Sequence, residues 1–148
     1  MKTAVFANSK GGVGKSTIAL LTSLSLATKY NRANVELIDL DPQATTSDSL
    51  SRFANYRFKV INNEEFYLGS TTPNNSRIIS HLESSSDNHI SECYSVIDCP
   101  AGNDPVRSTF LLHSDIIFIP TSVSDADVFA TKKYICLLYT SDAADDDA

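Results

Sequence analysis

Positions 9 to 17 read Ser9-Lys10-Gly11-Gly12-Val13-Gly14-Lys15-Ser16-Thr17, and no other stretch holds so much chemistry in so few residues. Three of the five glycines fall within four positions here, between an apolar run and a helical pattern. With no side chains to block the approach, backbone N–H groups can converge on phosphate oxygens. A helix opening near Lys15 would add its positive end to the same spot. On this reading Lys15 reaches the β- and γ-phosphates of a nucleotide, and the Ser16 hydroxyl completes a Mg²⁺ shell. The competing reading is a tight glycine turn that opens an ordinary helix.

Three carboxylates stand where other apolar runs end. Val35-Glu36-Leu37-Ile38-Asp39-Leu40-Asp41-Pro42-Gln43 closes on Asp39 and Asp41. These two share a side of the strand, since residues i and i+2 do. Ser95-Val96-Ile97-Asp98-Cys99-Pro100-Ala101-Gly102 is a second apolar run ending in Asp98. Ligands of open parallel sheets gather beyond the carboxyl ends of the strands, where all three acids would lie. Against this, Asp39 and Asp41 could merely cap a following helix. Cys99 reads as a small core residue, because no nearby base would activate it.

The elements that must position these groups alternate along the chain. Residues 4–7, 35–40, 56–61, 95–99 and 115–120 read as strands, and 18–30 and 77–83 as helices. A further helix is expected to follow each of the last two strands. Continuous rather than alternating apolar strands mean burial on both faces. The expectation is therefore one α/β domain, a doubly wound, mainly parallel sheet with helices on both faces. Residues 62–75 are polar and read as a surface loop.

Composition narrows the class. The chain has 148 residues, 42% hydrophobic and 20% charged, as ordinary globular domains do. No apolar run approaches the roughly 20 residues that span a bilayer. Met1-Lys2-Thr3 runs directly into a strand pattern and leaves no room for a signal peptide. Three cysteines (Cys93, Cys99, Cys136) without CxxC spacing fit reduced thiols and a cytoplasmic location. Net charge is −6, but the last thirteen residues hold four acids and no Lys or Arg. Without them the balance is 12 minus 14, or −2, which says little about partners. Residues 136–148 resemble a sequencing adapter translated at the end of a read. They are set aside as a non-native or disordered tail, leaving 1–135 as a domain cut short at its C-terminal part.

The motifs together resemble the ParA/MinD family of P-loop ATPases. Residues 8–17 are similar to that family's deviant Walker A loop, in which the first position varies (here Ser9) and a second lysine precedes two glycines. The resemblance implies a P-loop NTPase fold that binds ATP through Lys10, Gly11, Gly12, Val13, Gly14, Lys15, Ser16 and Thr17, with Mg²⁺ held by Ser16 and, through water, by Asp39 and Asp98. It further implies that Lys10 crosses the interface of an ATP-bound homodimer to the partner's nucleotide, like an arginine finger supplied in trans. Asp39-Leu40-Asp41-Pro42-Gln43 resembles the family's second motif, where the acid at Asp41 activates the attacking water and that at Asp39 lies nearer the metal. Asp98 looks like the Walker B acid, holding a Mg²⁺-bound water. The likeness continues to about residue 133. Ser124-Asp125-Ala126-Asp127 stands where relatives carry a Pro-rich turn with an Asp.

Within the family, small plasmid-partition ATPases are the nearest in layout, because the glycine loop begins within ten residues of Met1. That implies partition of DNA, with a partition adaptor protein and nonspecific DNA as partners. A MinD-like positioning ATPase on the membrane is the alternative, disfavoured by Pro42-Gln43. A metabolic P-loop enzyme of the cobyrinate-amidase or dethiobiotin-synthetase type is disfavoured by Lys10, which suits a switch. A reductase of the nitrogenase iron-protein kind lacks a convincing set of cluster cysteines. Elements that hold adenine, DNA or membrane in relatives would lie beyond residue 135. A fragment that binds nucleotide poorly and does nothing is the last alternative.

Overall fold

Val5 and Phe6, Leu37 and Ile38, and Val96 and Ile97 are neighbours in sequence, and each is at most 2% exposed. Side chains that alternate across a strand can all be buried only when both faces of the sheet are covered. The computed structural model describes residues 1–30, 34–41, 58–61, 63–68, 72–84, 92–102 and 109–146. Its elements in chain order are β1 (Lys2–Phe6), α1 (Lys15–Lys29), β2 (Asn34–Asp39), β3 (Phe58–Ile61) and a 3-10 turn (Asn63–Phe66). There follow β4 (Tyr67–Leu68), β5 (Thr72–Pro73), α2 (Asn75–Ser84), β6 (Cys93–Asp98), a second 3-10 turn (Thr109–His113), β7 (Ile116–Phe118) and α3 (Asp125–Asp146).

Five strands form one sheet in the order β3-β2-β6-β1-β7, and every pairing in it is parallel. One face carries Phe6, Val35, Leu37, Phe58 and Val96 against Ala19 of α1. The other carries Val5, Ile38, Leu40, Ile97 and Cys99 against Phe66, Ile78, Leu82, Leu111 and Tyr134. Each fully buried Leu, Ile or Phe contributes about 1.5–3 kcal/mol, so these two layers hold the sheet. The doubly wound α/β arrangement expected from the strand pattern is what forms.

Register levels the strand ends that matter. Phe6 lies opposite Asp98, and Asp98 opposite Asp39, so β1, β6 and β2 finish in one row. The glycine loop leaves from the end of β1, at one end of that row and beside β6.

Several boundaries differ from expectation. Residues 62–75, read as a surface loop, include Phe66 at 2% exposure and the antiparallel β4–β5 pair. Their polar composition concealed one aromatic that anchors the segment in the core. β2 ends at Asp39, short of the acid two residues on. The helix expected after β6 appears within the described residues as the 3-10 turn at Thr109–His113, residues 103–108 lying outside them. α3 continues unbroken past position 135, and Leu138 packs against the core. No helix among the described residues is long and apolar enough to cross a membrane.

Candidate nucleotide site

Past β1 the chain is pinned before the glycines begin. Ala7 N–H donates to the Phe118 carbonyl at 3.0 Å. Asn8, only 1% exposed, donates through Nδ2 to the Pro120 carbonyl (2.8 Å) and to Thr131 Oγ1 (2.9 Å). Its Oδ1 accepts the Lys10 N–H at 3.1 Å. The loop mouth is thus tied to the end of β7 and to α3.

Gly12 and Gly14 then take φ of 72° and 88°, in the left-handed region. A β-carbon in that conformation costs about 1–2 kcal/mol, which accounts for glycine at both places. A β-carbon built on Gly12 meets nothing within 4 Å, so the space over the loop is open. Gly14 is the N-cap of α1 and makes no side-chain cap bond, and the first turn holds no acid. The first N–H groups of a helix lack intrahelical partners and carry its positive end. Here they face no carboxylate of their own turn, as an anion site requires. Val13 and Ser16 are half-buried and Gly11 and Thr17 exposed, all in the same loop and first turn.

Lys15, the first residue of α1, is buried at 7% exposure, and Asp39 and Asp98 are both at 0%. Asp39 shares its strand parity with Val35 and Leu37, and Asp98 with Val96, so both lie on the face that α1 covers. Charged side chains are seldom buried without compensation. One lysine and two carboxylates at adjoining strand ends supply opposite charges at one place.

Asp41 is reached by a turn. Leu40 N–H donates to the Asp98 carbonyl (2.9 Å), and Asp41 N–H donates back to Asp39 Oδ1 (3.0 Å). Continued strand alternation therefore does not place Asp41; the side chain of Asp39 does. Pro42 and Gln43 lie outside the described residues. The Tyr67 hydroxyl donates to the Leu40 carbonyl from the other side. Burial first, then the negative charge of Asp41 and Asp39, pushes this phenol up to about 12. It stays a neutral donor. Burial, and next Asp98, push the Cys99 thiol well above its ordinary range, while Lys15 acts the other way. A protonated thiol in the core is inert, in keeping with its reading as a packing residue.

Lys10 stands on the outer side of the loop. Its Nζ lies 3.2 Å from Asp127 Oδ1, with side-chain exposures of 47% and 16%. The Ser122 hydroxyl also donates to Asp127, and hydrogen bonds from Ser122, Ser124 and Lys10 hold its carboxyl below the usual range. The structure therefore brings Gly11 to Thr17, Asp39, Asp41 and Asp98 to one end of the sheet and turns Lys10 toward the start of α3.

Among the described residues, no group of three or more His, Cys, Asp or Glu could hold a metal by itself. Mg²⁺ is usually bound by one or two carboxylates with substrate phosphates and waters rather than by a protein cage. Ser16, Asp39 and Asp98 beside an open phosphate cradle fit that donor set. Three residues at the site went unassigned in the motif reading: Asn8, Tyr67 and Asp127. Asn8 carries a weak signal, a polar residue between an apolar run and the glycines. Asp127 ends the stretch Ser124 to Asp127, which the resemblance marked without giving it a role, and Tyr67 carries no local signal.

Comparison with known proteins agrees with this fold. Residues 1–92 match a family model described as an AAA domain. The maintenance of carboxysome distribution protein A of Halothiobacillus neapolitanus is 31% identical over 137 residues, 90% of this chain and 56% of that protein. The chain thus spans little more than half of that relative's length. Among solved structures, apo McdA of Cyanothece is similar with a TM-score of 0.74 at 20% identity, over 97% of this chain and 67% of that one. A putative plasmid partition protein from Borrelia burgdorferi B31 bound to AMPPNP gives 0.67 at 20% identity, over 94% and 70%. At such identity the structural likeness is one of fold. With a family model matching more than half its length, the chain belongs to the AAA-domain family, and its fold is that of ParA and MinD structures.

Proposed function

We propose that this domain binds Mg-ATP in the glycine loop, and that the complete protein is an ATP-hydrolysing switch of the ParA type that dimerises on ATP and partitions DNA. One observation carries the reading. A buried lysine directly follows two left-handed glycines after β1, and two buried carboxylates end the neighbouring strands in register with β1. That arrangement has no use in packing and suits a polyphosphate with its metal.

Each residue then has a task. N–H groups of Gly11 to Thr17 hold phosphate oxygens, and Lys15 sets its cation against the β- and γ-phosphates. Ser16 would supply a hydroxyl to the metal, and Asp39 and Asp98 would orient its waters. Mg²⁺ bound with the nucleotide would neutralise charge that builds on the phosphates. Asp41 lies one turn beyond, where its carboxylate orients the attacking water. Lys10 leaves Asp127 to deliver a positive charge to the partner's nucleotide, and a group of that kind can raise the rate by roughly 10³ to 10⁵. The nucleotide analogue on the Borrelia protein supports ATP as the ligand, and that protein's partition role supports DNA as cargo. A partition adaptor protein and nonspecific DNA are the partners this role requires, in the cytoplasm.

A second reading is favoured by the relative named for carboxysome distribution: a positioning ATPase for another cargo. Both use the same site. In the complete protein, Asp41→Ala should keep Mg-ATP affinity within about threefold and lose turnover by at least about 100-fold. Turnover that survives the change moves the catalytic role away from Asp41, with Asp39 next in line.

A further inference from the structure

Leu40, between the two acids of the β2 end, is held more firmly than its sequence suggests. Its side chain is 0% exposed, and its N–H donates to the Asp98 carbonyl at 2.9 Å. Its carbonyl, just past the strand, accepts the Tyr67 hydroxyl. With the Asp41 N–H on Asp39 Oδ1, three hydrogen bonds define the turn Asp39-Leu40-Asp41, and one comes from a distant side chain.

Tyr67 is itself well anchored. It begins β4, and its register partner in β5 is Pro73. The preceding Phe66 is 2% exposed and packs its ring against His81, with centroids 5.5 Å apart. His81 Nε2 lies 3.1 Å from both carboxylate oxygens of Glu36 in β2. β2 is thus gripped at two levels, by His81 of α2 at Glu36 within the strand and by Tyr67 of the hairpin at Leu40, just past its end.

We propose that Tyr67 is a positioning residue for hydrolysis: its hydroxyl on the Leu40 carbonyl fixes the peptide that carries Asp41 toward the phosphate end of the site. This rests on the role proposed for Asp41. With the carbonyl released, the peptide between Leu40 and Asp41 can rotate, and the Asp41 carboxylate swings with it. Displacement of a reacting group by 1 Å can cost about 10²-fold in rate. A tyrosine suits the task because its phenol remains protonated, and therefore a donor, across the physiological range.

Tyr67→Phe removes the hydroxyl and keeps the ring. Amide hydrogen exchange, followed by NMR on the 148-residue chain, reads the turn directly. Exchange at Asp41 should accelerate by about tenfold, while Val5 and Ile97 in the sheet centre keep their rates. In the complete protein, kcat should fall at least about tenfold with Mg-ATP affinity held within about threefold. An unchanged Asp41 rate overturns the proposal. So does equal acceleration at Val5 and Ile97, which would make Tyr67 merely structural, and so does a full kcat beside a loosened turn. If the parent shows no turnover, the ATPase reading fails, and the exchange rates still decide whether Tyr67 holds the turn.

Discussion

Replacing Gly12 with alanine separates the cost to the fold from the cost to the ligand. At φ 72° the added β-carbon is strained by the backbone, yet it meets no protein atom within 4 Å. The fold therefore loses only the left-handed penalty, about 1–2 kcal/mol. For a chain of this length that lowers the melting temperature by about 2–8 °C. The ligand effect is larger. Mg-ATP at 100 times its dissociation constant stabilises the parent by about 2.7 kcal/mol, a rise of about 5–10 °C. The β-carbon projects into the open space over the loop, where the phosphates are proposed to sit. If it weakens binding 100-fold, the same nucleotide adds only about 0.4 kcal/mol, or about 1 °C. Melting curves of parent and Gly12→Ala, with and without Mg-ATP, read both numbers. A variant that melts lower but keeps the full nucleotide rise would refute the reasoning, because the space over Gly12 would then not be the phosphate cradle.

Lys10→Ala should change Mg-ATP affinity by less than about threefold and leave the melting point within about 2 °C, since its pair with Asp127 is half exposed. ATP-dependent dimers of the complete protein should vanish in light scattering; dimers that persist make Lys10 a bystander. The His81–Glu36 pair gives a pH signature, because Glu36 first, with help from Glu65, raises the imidazole above its ordinary 6.5 against burial and Lys59. Its stabilisation is complete below the unfolded value and disappears as pH rises through the raised one. Between pH 6 and 8 the parent should lose about 1–3 °C more in melting temperature than His81→Asn, and parallel curves would show that the pair contributes nothing.

The glycine loop is legible in the sequence because its requirements are local: positive φ, open space and a helix start all fall within nine residues. The strand-end acids are legible for a related reason. Val35 to Ile38 and Ser95 to Ile97 announce buried strands, and in a parallel sheet their ends share an edge. What stays hidden depends on pairings distant in sequence. Asp127 meets Lys10 only because β7 pairs with β1 and brings the start of α3 beside the loop. Tyr67 sits in a polar stretch that composition assigns to the surface, and its hydroxyl finds Leu40 only once Phe66 is buried. The end of β2 at Asp39 is hidden as well. A side-chain bond from Asp39 to the Asp41 N–H stops the strand one residue before the apolar run does.

The central claim is that Lys15, buried at the head of α1, is the fixed cation of an ATP site. Titrating a fluorescent ATP analogue with Mg²⁺ into the parent and into Lys15→Ala tests it most directly. The account predicts saturable binding by the parent and a loss of at least about 100-fold in the variant, since a desolvated charge-to-phosphate contact is removed. Affinity within a few-fold of the parent would contradict it and remove the glycine loop as the nucleotide site.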